Sequence, residues 1–259
     1  MRRIALCLLI IMALSLASVQ ALARGAAMIF WYPGEAGSTE EAQPVLDDFL
    51  GYVSQKMGDV QIEGRYYNTV DAGLKFISEK RPAIGIVSYA ALTQYADKLG
   101  APSVFLATLP LPGGAATEKY AIVGRSKDLK PGVKILSSEP MKLSYVREKL
   151  FAGLPQDAVM TPTSQIFSAL KKISSGEMDA VAILTPIEAS TLAQVSAEWA
   201  RGLVQISVSE NVPTARVLLF DPAWKDADRL RQVLIGAGSD PAAKDLLLEL
   251  RLKGFAEAR

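Results

Sequence analysis

Apolar and polar residues follow one another along this chain in two distinct rhythms. Short apolar runs such as Ala26 to Tyr32 and Ala83 to Ser88 predict buried strands. Between them lie longer segments in which apolar residues recur at helical spacing, as in Thr39 to Met57 and Val70 to Glu79. This alternation is typical of the α/β class, in which sheets are flanked by helices.

The predicted strands fall into two successive series. Those of the first series lie at 26–32, 60–66 and 83–88, and those of the second at 134–137, 158–161 and 180–184. Further extended segments are predicted at 103–111, 119–124, 203–208 and 215–220, and helices at 224–236 and 240–252 close the chain. Two such series predict two lobes, each with a mainly parallel sheet, and a ligand cleft between them.

The chain is expected to cross between the lobes twice. The first connection lies within Leu111 to Lys134, which contains two adjacent glycines, and the second lies around Glu210 to Ala215. Residues 24–114 and 215–259 would then form the first lobe, and residues 115–214 the second. A single larger doubly wound sheet is the alternative.

The N-terminus has the pattern of a secretory signal. Arg2 and Arg3 precede an apolar run from Ile4 to Ala17, and Ala21-Leu22-Ala23 fits a signal peptidase site. The run is shorter than the roughly 17–25 residues of a membrane-spanning helix. We therefore predict that residues 1–23 are a cleaved signal peptide and that the mature chain is periplasmic. An uncleaved membrane anchor is the alternative.

Composition excludes several kinds of chemistry. The chain has no histidine, and its single cysteine, Cys7, lies in the predicted signal. Catalysis by Ser-His-Asp or Cys-His groups and histidine-based zinc sites are therefore ruled out. The 28 basic and 27 acidic residues form no basic stripe of the kind that binds nucleic acid. We expect no catalytic residues, metal, cofactor or nucleic-acid partner, and we expect a monomer.

Hydroxyl residues follow nearly every predicted strand. Ligands of α/β proteins bind beyond the carboxyl ends of the strands, so these loops are the candidate site. Neutral dipoles and helix N-termini there suit a polar, anionic solute. Each hydroxyl also suits a helix N-cap, which is the alternative role for each of them. Glu35 and Glu188 would disfavour an anion if they point inward, and one of them would then recognise an amine.

The chain resembles type II periplasmic solute-binding proteins, in particular the phosphonate/phosphate-type binding proteins of ABC transporters. The resemblance rests on the secreted start, the turn with Ser38-Thr39, the phrase Arg81 to Tyr89, the AVAILTP segment at 180–186 and a C-terminal helix from Leu246 to Phe255. It implies a hinged clamp that closes on a solute. Carried over by position, the ligand-binding residues are Tyr32, Ser38, Thr39, Tyr67, Ser88, Tyr89, Ser138 and Thr163.

The expected function is therefore capture of a small solute outside the cytoplasm, without chemical change, for the permease of an ABC transporter. The sequence departs from the phosphonate binders at 137–140, where Ser-Ser-Glu-Pro replaces a Gly-Ser-rich loop, and in its lack of histidine. A solute-sensing partner of a membrane receptor and an enzyme on the same fold are the alternatives.

Overall fold

The computed structural model describes residues 24–35, 37–58 and 60–258. The predicted signal peptide at 1–23 lies outside these residues. No helix within the described ranges is both long enough and apolar enough to cross a membrane.

The strands and helices alternate as the sequence predicts. The strands are β1 (Arg24–Trp31), β2 (Val60–Tyr67), β3 (Ile84–Val87), β4 (Ser103–Pro110), β5 (Thr117–Glu118), β6 (Ala121–Gly124), β7 (Lys134–Ser137), β8 (Val159–Pro162), β9 (Val181–Leu184), β10 (Val204–Val208), β11 (Val212–Pro213), β12 (Arg216–Leu219) and β13 (Leu252–Glu257). The α-helices are α1 (Thr39–Met57), α2 (Val70–Lys80), α3 (Tyr89–Gln94), α4 (Leu143–Tyr145), α5 (Ile166–Ser175), α6 (Pro186–Gln194), α7 (Glu198–Arg201), α8 (Ala227–Ala237) and α9 (Lys244–Glu249). A π-helical turn (Val146–Leu150) follows α4, and 3₁₀ turns lie at Ala96–Lys98 and Pro241–Ala243.

Two separate sheets carry the fold. The first has the strand order β13-β4-β12-β3-β1-β2, and the second has the order β10-β6-β9-β7-β8. In the first sheet β1 to β4 run in one direction, while β12 and β13 run in the other. In the second sheet only β6 opposes its neighbours. The predicted fold class, two sheets flanked by helices, is confirmed, and the alternative of one continuous sheet is wrong.

We call each sheet with its flanking helices a lobe. The first lobe is stabilised by α1, whose apolar face buries Phe49, Val53 and Met57 against the sheet and the C-terminal elements. Full burial of one such side chain contributes about 1.5–3 kcal/mol. The second lobe packs α5 against its sheet through Ile166, Leu170 and other apolar residues.

The two connections between the lobes run side by side. β5 and β11 pair antiparallel, with Glu118 opposite Val212 and Thr117 opposite Pro213. The hydroxyl of Thr214 donates to the carbonyl of Thr108 at 2.7 Å, which joins the second connection to the first lobe. We call β5 and β11 the paired linkers. The residue limits of the lobes at 114/115 and 214/215 remain predictions.

The C-terminus differs from the sequence-based expectation. The helix predicted at 240–252, and the helix from Leu246 to Phe255 implied by the resemblance, are wrong beyond Glu249. Arg251 has a φ of 55° and ends the helical region, and the strand β13 then pairs with β4. Phe255 is buried in the core of the first lobe. The pairing satisfies the open edge of β4, a tertiary requirement that local helical spacing does not report.

Candidate functional site

A cavity of about 380 Å³ lies between the lobes. This volume is in the range of sites for small molecules, about 300–1,000 Å³. Its walls come from the end of β1 and the start of α1, from the paired linkers, from the loops after β7 and β9, and from the turn before β13. Residues that contribute to the walls include Tyr32, Glu35, Glu41, Tyr66, Ser88, Tyr89, Thr108, Glu118, Tyr120, Glu139, Thr185, Ile187, Thr214 and Arg251.

Several glutamates line the cavity, and three of them come from three different parts of the fold. Glu35 lies in the turn after β1, Glu118 lies on the linker strand β5, and Glu139 follows β7 in the second lobe. The Tyr120 hydroxyl donates to Oε2 of Glu139 at 2.9 Å. The cavity therefore brings together acidic groups from both lobes and from a linker.

Burial and mutual repulsion make the ionisation of these carboxylates unfavourable. Burial, followed by the charge of Glu35, raises the pKa of Glu118 to about 7, although Arg216 opposes the shift. Burial, followed by the charge of Glu118, raises the pKa of Glu139 to about 8. Glu139 is thus largely protonated at neutral pH when nothing cationic is bound.

Tyrosines form much of the remaining wall. Tyr32, Tyr66, Tyr89 and Tyr120 line the cavity together with Phe30. Burial raises the pKa of the hydroxyls of Tyr32, Tyr66 and Tyr120 well above the usual value. These tyrosines therefore stay neutral and present both aromatic surface and hydroxyl groups to the space between the lobes.

Buried polar atoms without partners lie around the same space. Arg216, at the start of β12, is 6% exposed, and its Nη1 has no hydrogen-bond partner within the described part of the chain. Its charge acts on Glu118, and burial lowers its own pKa. The buried hydroxyl of Tyr145 likewise has no partner among these residues, and its pKa is raised by burial and then by Glu139.

The lobes are in direct contact next to the cavity-lining residues Glu35 and Glu139. Gly34 has a φ of 89°. A Cβ at this position would collide with the Ser138 carbonyl oxygen and lie 2.6 Å from the Cα of Glu139. Only glycine permits the backbones of the two lobes to approach so closely here.

Of the residues predicted to bind ligand, Tyr32, Ser88 and Tyr89 line the cavity. All three follow buried strands of the first sheet. Ser88 also caps α3, because its Oγ accepts a hydrogen bond from the Ala91 amide at 3.3 Å. Ser88 can therefore cap α3 and face the cavity at the same time.

The other predicted residues do not belong to the cavity walls. Ser38 caps α1 and exchanges hydrogen bonds with Glu41 in a capping box. The Thr39 hydroxyl donates to the Tyr66 carbonyl at 3.1 Å, and Tyr67 packs on Phe76. Thr163 accepts from the Gln165 amide at 3.2 Å, while Ser138 lies at the contact with Gly34. Ligand binding by these residues remains a prediction.

Sequence reasoning missed the linker residues of the site. It considered Lys119 as a positive charge for an anion, but Lys119 is exposed. Its neighbours Glu118 and Tyr120 line the cavity instead. Side chains alternate along an extended segment, which places Glu118 and Tyr120 on one face and Lys119 on the other. This alternation could have indicated that Glu118 and Tyr120 face the cavity.

No group of three or more histidine, cysteine, aspartate or glutamate side chains within the described residues could hold a metal ion.

The fold is that of the type II periplasmic binding proteins, as comparison with solved structures shows. The XAC2383 protein of Xanthomonas citri, solved with a chloride ion, is 16% identical and matches with a TM-score of 0.68 over 90% of this chain and 92% of that one. The same protein was also solved with ATP. No known family matches the sequence itself, and no curated protein does.

Two further structures illustrate the range of this fold. A binding protein component of an ABC phosphonate transporter from Pseudomonas aeruginosa is 12% identical, with a TM-score of 0.62 over 91% of this chain and 82% of that one. An ancestral amino acid-binding protein, described as a precursor of cyclohexadienyl dehydratase, is 13% identical, with a TM-score of 0.52 over 87% and 95%. At sequence identities this low, the structural matches establish a shared fold but do not identify the ligand of this chain.

Proposed function

We propose that this chain is an extracytoplasmic solute-binding protein that captures a small molecule between its lobes and delivers it to the permease of an ABC-type transporter. The observation that carries the proposal is the cavity of about 380 Å³, whose walls come from both lobes and from the linkers. The structural neighbours described as transporter binding proteins support it, and so does the signal-like N-terminus.

The paired linkers suit a hinge. They consist of two short strands held by a two-residue ladder, so small backbone rotations there would separate the lobes without disturbing either core. Bound solute would contact both lobes only in the closed arrangement. The solute would therefore favour closure by as much free energy as these additional contacts supply.

An enzyme is the second candidate, and one observation favours it. Glu139 has a pKa raised to about 8, and carboxyls with strongly raised pKa values are common among general acids and bases. One structural neighbour is also described as the precursor of a dehydratase. Recovery of a bound small molecule unchanged after incubation supports the receptor, whereas its conversion supports the enzyme.

The sequence and the cavity indicate different charges for the solute. The sequence indicated a phosphate-like or phosphonate-like oxyanion, which the charge of Arg216 near Glu118 would favour. Glu35, Glu118 and Glu139 all line the cavity, and an anion would add to the burial and repulsion that already disfavour ionisation of Glu118 and Glu139. An oxyanion therefore has weaker support from the geometry than a solute with a cationic group.

The receptor function is tested by measuring the distance between the lobes. The mature chain has no cysteine, so cysteines introduced at the exposed Asp48 on α1 and Lys171 on α5 would carry a fluorescent donor and acceptor. We expect saturable energy-transfer changes with at least one compound from panels of amines, amino acids and oxyanions. Unchanged transfer and no binding with every compound would contradict the proposal.

A further inference from the structure

We propose that the solute is a small organic ammonium compound whose protonated amine sits among Glu35, Glu118 and Glu139. This inference rests on the proposed function, because it takes the cavity between the lobes as the solute site. It adds the chemical class of the solute and the residues that select it.

The charges around Glu139 favour a cationic solute. The charged groups that act on Glu139 are Glu118, Glu35 and Glu188, and all of them are acidic. Arg216 acts on Glu118 and opposes the shift of its pKa. A bound ammonium group would relieve the repulsion that remains, and would do so in a partly desolvated space where such attraction is strong.

The chemistry of the cavity walls also suits an ammonium group. Tyr32, Tyr66, Tyr89 and Tyr120 line the cavity together with the carboxylates. An ammonium group is attracted to the faces of aromatic rings. It also carries only hydrogen-bond donors, which match the carboxylate and hydroxyl oxygens of this site. A short apolar part of the solute would pack against the rings.

Arg216 is buried beside the cavity without a full set of partners among the described residues. It follows the cavity-lining residues Thr214 and Ala215, and its charge interacts with that of Glu118. Its Nη1 is buried without a partner in the described ranges. Buried donors in native proteins are normally satisfied. A hydrogen-bond acceptor on the same solute, such as a hydroxyl or a carboxylate, would satisfy it.

The test compares matched panels in a thermal-shift assay of the mature chain at pH 8, followed by calorimetric titration. The amines are ethanolamine, putrescine and lysine, the anions are phosphate, methylphosphonate, sulfate and butyrate, and calcium and magnesium chlorides form a third panel. We expect at least one amine to raise the melting temperature saturably. A compound at 100 times its dissociation constant should stabilise the protein by about 2.7 kcal/mol. The anions and divalent metals should not stabilise it.

Charge-removing variants test the residues. Replacing Glu118 and Glu139 together by glutamine should weaken binding of the active amine at least tenfold. Replacing Glu148, which is exposed on the second lobe, by glutamine should leave binding unchanged. Circular dichroism and urea unfolding check that the double variant is folded. Equal amine affinity in the folded double variant and the wild type would overturn the assignment of these carboxylates.

Failure of the inference and failure of the receptor function give different results. Saturable binding of an anion or a divalent metal, with no response to amines, would overturn the inference and leave the receptor function standing. No response to any compound in the three panels would overturn the inference and also count against the receptor function.

Discussion

Replacement of Glu139 by glutamine isolates the energetic cost of burying a carboxylate at this site. The pKa of Glu139 is raised from 4.5 to about 8, mainly by burial and then by the charge of Glu118. Glutamine removes the charge and keeps an oxygen that can accept the hydrogen bond donated by Tyr120. The variant therefore changes ionisation with little change in shape.

The sign of the effect follows from proton binding. Between pH 4.5 and about 8 the folded wild type holds a proton on Glu139 that the unfolded chain has released. Stability of the wild type therefore falls as pH rises through this window, by about 1.4 kcal/mol per pH unit. From pH 5.5 to the folded-state pKa there are about 2.5 pH units, which amounts to about 3 kcal/mol. The E139Q variant lacks this fall in stability with pH, because glutamine does not ionise.

The assay is urea unfolding of the unliganded mature protein at pH 5.5 and pH 9. We expect the difference in unfolding free energy between E139Q and the wild type to grow by about 3 kcal/mol in favour of E139Q from the lower to the higher pH. The exposed-site variant E148Q should follow the wild type at both pH values within about 0.5 kcal/mol. Parallel behaviour of E139Q and the wild type would refute the reasoning, since it would mean that folding does not raise the pKa of Glu139.

Three further substitutions test other parts of the structure. Gly34→Ala should hold the lobes apart and weaken solute binding at least tenfold, as measured by calorimetry and by energy transfer between the lobes, because a Cβ there meets the backbone of the second lobe. Ser38→Ala should lower stability in urea by about 1 kcal/mol through loss of the cap, with unchanged solute affinity; a loss of affinity alone would show a ligand contact. Gly73→Ala should destabilise by about 1–3 kcal/mol, because its methyl group overlaps the buried Trp31 ring. Gly51→Ala, with nothing within 4 Å among the described residues, is the control for both glycines and should be neutral or stabilising.

Local patterns in the sequence were sufficient to predict much of the fold. The run Ala83 to Ser88 predicted a strand buried on both faces, and β3 is buried throughout. The two series of strands predicted two main sheets, and the two larger sheets match them, while the short β5-β11 pair was not predicted. Such signals depend on residues close in sequence, whose spacing directly records which side faces the core. The strand β13 was missed because it forms by pairing with β4, which lies about 150 residues away along the chain.

The candidate site was harder to predict for a related reason. Hydroxyl residues after strands cap helices as readily as they bind ligands, and Ser38 and Thr185 both form capping boxes. Tyr32, Ser88 and Tyr89 reach the cavity because they end strands of the first sheet next to the linkers. The proximity of Glu35, Glu118 and Glu139 depends on how the two lobes meet, and no local pattern encodes that arrangement.

The most direct test of the account is a crystal structure of the mature protein with the compound that stabilises it most. The account predicts that the compound lies in the cavity between the lobes, with its amine within hydrogen-bond distance of at least one of Glu35, Glu118 and Glu139. A bound compound on the outer surface of one lobe, with the cavity filled only by water, would contradict it.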